Sequence, residues 1–519
     1  MKKIVLLVSI LFSAAISNAQ KTAISIKPDQ LPVNDKDYKN RIMYEIFIRS
    51  FFDSDRDGIG DFNGVTSKMN YLKSLGVEGI WLLPVSPSPS YHKYDVTDYY
   101  GLDNIYGNEK SFSKLIETAH DMHIKVVVDM VLNHCSSEHP WFLDAISDKN
   151  SKYRDYFVWK NEKDITSEPE HWHFPVDKNG QKIQGQKYYG FFWSGMPDLN
   201  YDNSKVREEA FKIGKYWLEE MKVDGFRLDA AQHVFPEGQE AKNHQWWKEF
   251  RAEMEKVKPD FYMVGEVANT NEKVAPYLKN GMHAAFNFDL AKDINTTVIN
   301  GLDSGIVDSL IMMRAVYAKT SPAFIDATFI TNHDQDRIMS NVKGDVNKAK
   351  MAATLLFTFP GSPYIYYGEE IGMLGKKPDE LIREPFLWTA ADNAPGQTKW
   401  ESAVYSTSQN MQALNIQQGD SSSIYAHYRK LIAIRRSTPA LNGTGLESVM
   451  ASDAGIVAYI RSNGTERVLV VNNVSNKDLV ATLSSTGIVD KKIFSVGKII
   501  AEKGKFSSSP YSTAVFMLK

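Results

Sequence analysis

The chain of 519 residues carries a single cysteine, Cys135, so it can form no internal disulfide, and a cysteine-based zinc site is not expected. A basic surplus is also lacking. The 60 lysines and arginines face 63 acidic residues, whereas nucleic-acid binding usually shows as an excess of positive charge. No nucleic-acid partner is expected. Beyond the N-terminal residues no apolar stretch reaches the roughly 18 residues of a membrane span, so none is expected. No short-period repeat stands out, which argues against solenoids. What is present is a composition 43% hydrophobic and 12% aromatic, able to bury a sizeable core. The length suits one large domain with a smaller companion.

Lys2 and Lys3 precede the short apolar run 4–16, and Ser17-Asn18-Ala19 supplies small residues for cleavage before Gln20. Residues 1–19 therefore read as a cleavable signal peptide, and the mature protein is expected in the periplasm or outside the cell. No cysteine follows the apolar run, so no lipid anchor is expected there.

Along the rest of the chain, apolar strands alternate with amphipathic helices. Eight candidate strands are residues 44–51, 79–83, 125–131, 225–230, 261–267, 284–290, 327–331 and 364–367. Continuous apolar runs such as Val126-Val127-Val128 suit strands buried on both faces, as in a parallel sheet. Helical periodicity at 205–221 and 243–257 fits crossover helices. Eight such units predict an α/β fold with a closed (β/α)8 TIM barrel. The interval between the third and fourth strands is far too long for one crossover. Its aromatic-rich part, 135–200, predicts an inserted domain. The barrel is then assigned to 20–134 and 201–440. A helix at 428–436 ends before Thr438-Pro439, and alternating runs at 467–471 and 513–518 predict a C-terminal antiparallel β-sandwich over 441–519.

Barrel enzymes carry their chemistry at the C-terminal ends of the strands. There the third strand reads Asp129-Met-Val-Leu-Asn133-His134 and the fourth Gly225-Phe-Arg227-Leu-Asp229. The fifth ends Gly265-Glu266-Val267 and the seventh Thr331-Asn332-His333-Asp334. The two-residue period of a strand puts Arg227 and Asp229 on one side of the sheet. A carboxylate beside an arginine on an apolar strand is costly to bury without a purpose.

These four segments resemble the signature regions of glycoside hydrolase family 13, the α-amylase family. Residues 76–84 (GVEGIWLLP) and 196–200 (MPDLN) extend the resemblance, which covers nearly the whole mature chain. It implies a retaining mechanism, with Asp229 as nucleophile, Glu266 as general acid/base and Asp334 as the third acid, gripping sugar hydroxyls. It further implies that His134 and His333 bind hydroxyls and that Tyr94 stacks on the sugar before the cleaved bond. Arg227 is expected to hold Asp229 ionised, since a cation lowers a carboxyl pKa, while Glu266 needs a raised one. Cys135 is expected to pack in the interior, with no base beside it to make it a nucleophile.

The run Asp53-Ser-Asp55-Arg-Asp57-Gly58-Ile59-Gly60-Asp61 crowds acids that repel one another unless a cation sits among them. Hard oxygen ligands at this spacing suit Ca²⁺, although Gly64 stands where an EF-hand needs glutamate. The alternative is a solvated acidic turn. The run resembles the calcium loop after the first strand in part of the family, implying Asp53, Asp55, Asp57, the Ile59 carbonyl and Asp61 as ligands. A second calcium is implied between barrel and inserted domain, at Asn133, Asp198 and the His233 carbonyl, with simple packing as the alternative for His233.

Fold and acids do not separate the activities within this family. Tyr91-His92-Lys93-Tyr94 resembles the Tyr-His-Gly-Tyr segment of α-amylases. Exo-acting relatives carry aspartate where Tyr91 stands, closing a one-sugar pocket, so an open cleft is expected. The segment at 196–200 resembles the intermediary group of α-amylases. After Asp229 the chain reads Ala230-Ala231-Gln232-His233, with Gln232 where many α-amylases place a sugar-binding lysine. The resemblance thus implies an α-amylase, cutting internal α-1,4 bonds of starch-like glucans and maltooligosaccharides. Exo-acting α-glucosidase or oligo-1,6-glucosidase activity, glucosyl transfer, and, more remotely, noncatalytic glucan binding are the alternatives. Other starch-utilisation proteins are conceivable partners. Phe192 and Trp193 either stack on sugars or belong to the core of the inserted domain.

Overall fold

Short strands, buried on both faces, form the centre of the molecule. The computed structural model describes residues 38–519 apart from 178, 392–393 and 485–486, so the signal-peptide reading of 1–19 lies outside the described residues. The chain starts with β1 (Met43–Ile46), β2 (Gly79–Leu82) and β3 (Lys125–Met130). Then β4 (Trp159–Asn161), β5 (Trp172–His173) and β6 (Gln186–Tyr189) make a small antiparallel sheet of their own. Five further strands follow: β7 (Gly225–Leu228), β8 (Tyr262–Gly265), β9 (Ala284–Phe286), β10 (Ile325–Thr328) and β11 (Ser362–Tyr366). They close a parallel eight-stranded barrel in the order β1-β11-β10-β9-β8-β7-β3-β2. This is the TIM barrel that the alternation of strands and helices predicts.

Local chemistry starts and stops the elements. The Asn203 side chain caps the helix Ser204–Glu219 by accepting from Lys205 N–H, and Asn108 forms a capping box with Ser111 on Glu109–Asp121. Where β7 meets β8 the backbones approach so closely that a Cβ on Gly225 would lie 2.1 Å from the Tyr262 carbonyl oxygen. Only glycine fits there.

Three predicted strands are shorter or shifted. The stretch 44–51 is strand only to Ile46, where pairing with β2 ends at Leu82, and Ile48–Phe51 is a helical turn. The stretch 284–290 is strand only to Phe286, because the Asn287 side chain accepts from Leu290 N–H and starts the helix Phe288–Asn300. The seventh barrel strand begins at Ile325 rather than 327. Short apolar runs carry no period that separates strand from helix, which is why these boundaries moved.

The C-terminal part holds β12 (Gly445–Val449), β13 (Ile456–Ser462), β14 (Arg467–Asn473), β15 (Leu479–Thr482), β16 (Val489–Val496), β17 (Ile499–Glu502), β18 (Lys505–Ser508) and β19 (Thr513–Leu518). A five-stranded sheet, β12-β13-β14-β19-β16, stands beside a three-stranded sheet, β15-β18-β17. Strand β14 is buried on both faces. Val468 and Val470 join the core shared with the barrel, while Leu469 and Val471 pack with Phe506 and Phe516 in a second core.

Two buried arginines, neither in a salt bridge among the described residues, sew this domain to the barrel. Arg435 donates to the carbonyls of Phe357, Phe359 and Gly361, and Arg461 to those of Thr358, Leu441, Gly443 and Gly445. Together they satisfy the last carbonyls of the barrel helix Val346–Thr358, which no intrahelical donor can reach. Arg461→Leu strands four carbonyls in a buried junction. It is expected to cost roughly 2–4 kcal/mol, read as a lowered melting temperature and as faster proteolysis between barrel and β-domain.

Candidate active site

The C-terminal ends of β3, β7 and β8 converge on one guanidinium. Asp129 of β3 and Arg227 of β7 are cross-strand partners in the barrel register. Arg227 Nη1 donates to Asp129 Oδ1 at 2.8 Å and Oδ2 at 3.0 Å, and to Asp229 Oδ1 at 2.7 Å. Its Nη2 donates to Glu266 Oε2 at 2.8 Å, which also accepts from Ala230 N–H at 3.1 Å. Trp81 Nε1–H donates to Asp129 Oδ2 at 3.3 Å, and the Arg227 guanidinium carbon lies 5.1 Å from the Trp81 ring centre.

One cation among three carboxylates cannot neutralise them all. Burial pushes the Glu266 and Asp129 carboxyls up to about 7, against the pull of Arg227. Burial raises Asp229 as well. This corrects the expectation that Arg227 holds Asp229 low: its charge is shared with Asp129 and Glu266, and what remains does not offset the burial.

The facing side of the barrel mouth is built on Asp334, His333 and Tyr94. His333 Nδ1 lies 2.6 Å from Glu45 Oε1 of β1, and its Nε2 lies 2.7 Å from the Tyr94 hydroxyl and 3.2 Å from Asp334 Oδ2. The Tyr94 hydroxyl is also 3.0 Å from Asp129 Oδ2. Arg383 donates to Asp334 Oδ1 at 2.9 Å and to the His333 carbonyl at 2.9 Å. Asp334 is drawn below its ordinary value: burial raises it, but His333 and Arg383 overcome that. His134 is buried, its Nε2 3.1 Å from the Tyr94 carbonyl, and burial lowers it to about 4, so its imidazole is neutral. The seven residues singled out for catalysis and substrate binding thus meet at the barrel mouth.

Four participants escaped sequence reading. Glu45 fixes His333, Arg383 fixes Asp334, Trp81 touches Asp129, and Asp129 itself shares Arg227. The signal for Asp129 was present, an acid at the head of the third-strand motif. Cys135 is buried, and burial raises its thiol, as a packing residue requires.

Of the acidic loop, Asp53, Asp55 and Asp61 bring carboxylate oxygens within 4.8 Å of one another. Asp57 does not join that group and accepts from Ile59 N–H at 2.7 Å. Backbone donors also serve the cluster, Gly58 N–H to Asp53 at 2.8 Å and Gly64 N–H to Asp61 at 2.9 Å. At the other junction, Asn133 Nδ2 donates to the His233 carbonyl at 2.5 Å, while Asp198 Oδ1 accepts from Phe191 N–H at 3.1 Å. The Asn133 amide therefore satisfies that carbonyl directly, and the His233 ring stacks on Phe191 with centres 4.0 Å apart.

Comparison with known proteins identifies the architecture. Residues 45–444 match the family described as Alpha amylase, catalytic domain. This chain belongs to that family. Residues 456–515 match a second family, Alpha-amylase SusG C-terminal domain. Alpha-amylase 3 of Dictyoglomus thermophilum is 44% identical over 485 residues, covering 93% of this chain and 94% of that protein. A 4-alpha-glucanotransferase of Thermotoga neapolitana is 34% identical, covering 85% and 97%. An alpha-amylase structure from H. orenii superposes with a TM-score of 0.84 at 41% identity, covering 93% of this chain and 100% of that one. The chain is thus an enzyme of the α-amylase family. Among the described residues, no helix is long and apolar enough to cross a membrane.

The raised carboxyls make stability depend on pH. Folded Asp129 keeps its proton up to about 7, whereas an unfolded one releases it near 3.8. The folded state therefore binds the extra proton in that window, and stability falls as pH rises through it. The melting temperature is expected to drop as pH rises from about 4 to about 7, and to drop less in Asp129→Asn.

Proposed function

We propose that the chain is a retaining, endo-acting hydrolase of α-1,4-glucosidic bonds in starch-like glucans and maltooligosaccharides. The observation that carries this is the pair Asp229 and Glu266, held by the two terminal nitrogens of one buried guanidinium at the barrel mouth. Retaining enzymes keep their two carboxyls about 5–5.5 Å apart, and a shared arginine suits that spacing. Glu266, raised to about 7, delivers its proton to the glycosidic oxygen as Asp229 attacks the anomeric carbon. The departing chain leaves with that proton, and a glycosyl ester on Asp229 remains. Glu266, now a carboxylate, takes a proton from water, which displaces Asp229. Asp334, His333 and His134 bind hydroxyls of the sugar held before the cut, against Tyr94.

Tyr91 supports an open cleft. Its ring stacks on Trp400 with centres 5.2 Å apart and its hydroxyl is 3.4 Å from Arg383, so an aromatic ring rather than a carboxylate stands at this position. Glucosyl transfer is the second reading. Gln232 is uncharged and tied to His233 and Asn269, at 3.1 and 3.3 Å, and a relative is named a 4-alpha-glucanotransferase. The division of labour proposed is a barrel of 20–134 and 201–440, an inserted domain of 135–200 and a β-domain of 441–519, exported by the signal peptide at 1–19 to the periplasm or outside.

For calcium, Asp53, Asp55 and Asp61 offer the hard oxygen donors the ion prefers, and they would hold it. Bound there it would neutralise the cluster and brace the loop after β1. The junction of Asn133, Asp198 and the His233 carbonyl offers fewer charges, and its hydrogen bonds already join barrel to insertion, so a second calcium is the weaker proposal.

Asp229→Asn and Glu266→Gln are each expected to lower kcat by roughly 10³-fold or more on soluble starch. Activity should fall as pH rises through about 7, where Glu266 loses its proton. A product time course checks the mode of cutting: long oligosaccharides first mean an endo cut, and glucose alone from the start would refute it. Chelation should lower the melting temperature, and Asp53→Ala with Asp61→Ala should abolish that response. An unchanged melt would refute the calcium site.

A further inference from the structure

The loop 88–95, between β2 and β3, carries Tyr94 into the site, and the residue before that tyrosine stands in a costly conformation. Lys93 has φ +68°, in the left-handed region that glycine enters freely and a Cβ crowds. Its side chain is buried rather than spread into solvent. The Lys93 Nζ lies 2.6 Å from Asp103 Oδ2 and donates to the Ser88 carbonyl at 3.0 Å. Asp103 is buried too, and it is fixed in place. Its N–H donates to the carbonyl of Val85, three residues beyond β2, at 2.8 Å, and its Oδ1 accepts from Ile105 N–H at 3.1 Å. The ion pair thus ties the loop to the end of a barrel strand. A buried pair adds little net stability, but any arrangement that parts it leaves two charges uncompensated.

The rest of the loop is cross-linked around this tie. The Ser88 hydroxyl donates to Asp95 Oδ1 at 2.5 Å, and the Ser90 hydroxyl donates to the same oxygen. Lys93 N–H donates to Ser90 Oγ at 3.3 Å, and Tyr94 N–H to His92 Nδ1 at 3.1 Å. What this frame presents is Tyr94. Its ring lies parallel to His333, with centres 5.7 Å apart. Its hydroxyl is 2.7 Å from His333 Nε2, 3.0 Å from Asp129 Oδ2 and 3.4 Å from Arg227 Nη1. Lys93 itself bonds to Ser88, Ser90 and Asp103, so its effect on the reaction passes through its neighbour.

We propose that Lys93 is a positioning residue: its ion pair with Asp103 holds the Tyr94 hydroxyl between His333 and Asp129, and through Asp129 sets how much of Arg227 is left for Glu266. This rests on the reading of Asp229 and Glu266 as the reacting pair. Asp129 is faced by Arg227 and Asp229 at the end of β7, by Tyr94 from the loop and by Trp81 from β2. Glu266 is faced by Arg227, Asp229, Asp334 and the Ala230 N–H. A hydrogen bond from Tyr94 favours the Asp129 carboxylate. That carboxylate competes with Glu266 for the one guanidinium, and the competition keeps a proton on Glu266. If the loop releases Tyr94, Asp129 takes up a proton more readily. Arg227 then acts more fully on Glu266, which gives up its proton at lower pH.

The test compares wild type with Lys93→Gly/Asp103→Asn, which relieves the backbone and strands no charge, and with Tyr94→Phe, alone and combined with that pair. Each is assayed on maltoheptaose across the pH range, well below its own melting temperature. The Lys93→Gly/Asp103→Asn variant should lose about tenfold in kcat with KM changed by about twofold or less, since a small misplacement near the chemistry costs rate more than binding. The alkaline limb of its kcat/KM profile should move to lower pH. Added to Tyr94→Phe, the pair should cost less than about twofold more, because residues acting through one group are not additive. If that variant does not fold, Lys93→Gln/Asp103→Asn keeps a neutral link of similar reach and should show the same limb shift with a loss of about threefold. An unmoved limb, or a full additional loss in the Tyr94→Phe background, would overturn the positioning role and leave Lys93 as a purely structural tie. An active wild type with kinetically indifferent variants removes that role alone. A wild type that makes no new reducing ends from maltoheptaose removes the underlying reading as well.

Discussion

The Arg227 guanidinium, buried among three carboxylates, is the constraint on which the site depends. A single positive charge faces Asp129, Asp229 and Glu266. Electrostatics in a dry site do not tolerate two uncompensated negative charges, so protons are retained on the cluster near neutral pH. That retained proton is what a general acid needs. The surroundings then decide where it sits. The Trp81 N–H and the Tyr94 hydroxyl reach Asp129, and Ala230 N–H reaches Glu266.

The opposite end of the same strands shows the reverse arrangement. Asp224, one residue before β7, accepts from the Val126 N–H at 2.9 Å and meets His120, Lys125 and Lys258 at 2.7, 3.0 and 3.0 Å. Burial raises its carboxyl, but the surrounding donors and cations win and hold it well below the usual carboxylate range. Several cations on one carboxylate lock a charge in place, and several carboxylates on one cation leave protons free to move. The barrel thus places a fixed charge at its base and labile protons at its mouth, the division expected of this architecture.

The C-terminal domain belongs to the same scheme of satisfied polar groups. Its Arg461 reaches across to Thr358, and its Tyr459 hydroxyl lies 2.5 Å from Thr358 Oγ1, so the end of the barrel helix Val346–Thr358 is completed by a strand about a hundred residues further along the chain. The continuous core through Val457, Val468, Val470 and Val515 carries the same joint in apolar form.

Sequence by itself determined the barrel, the antiparallel C-terminal sheets and the acids at the ends of the barrel strands. Those rest on local patterns: apolar runs such as Val126-Val127-Val128, and acids where such runs stop. The resemblance supplied roles for them. Strand ends at Ile46 and Phe286 were not legible, because a short apolar run has no period and a single side chain, Asn287, decides where the helix begins. The partners of the named residues were hidden too. Glu45 lies 288 positions from His333 and Arg383 lies 49 from Asp334. No local pattern joins residues so far apart; closure of the barrel does. For the same reason the upward shift of the Asp229 carboxyl could not be read from Arg227 alone. The charge that matters is the sum over three strands, and only the tertiary structure brings those strands together.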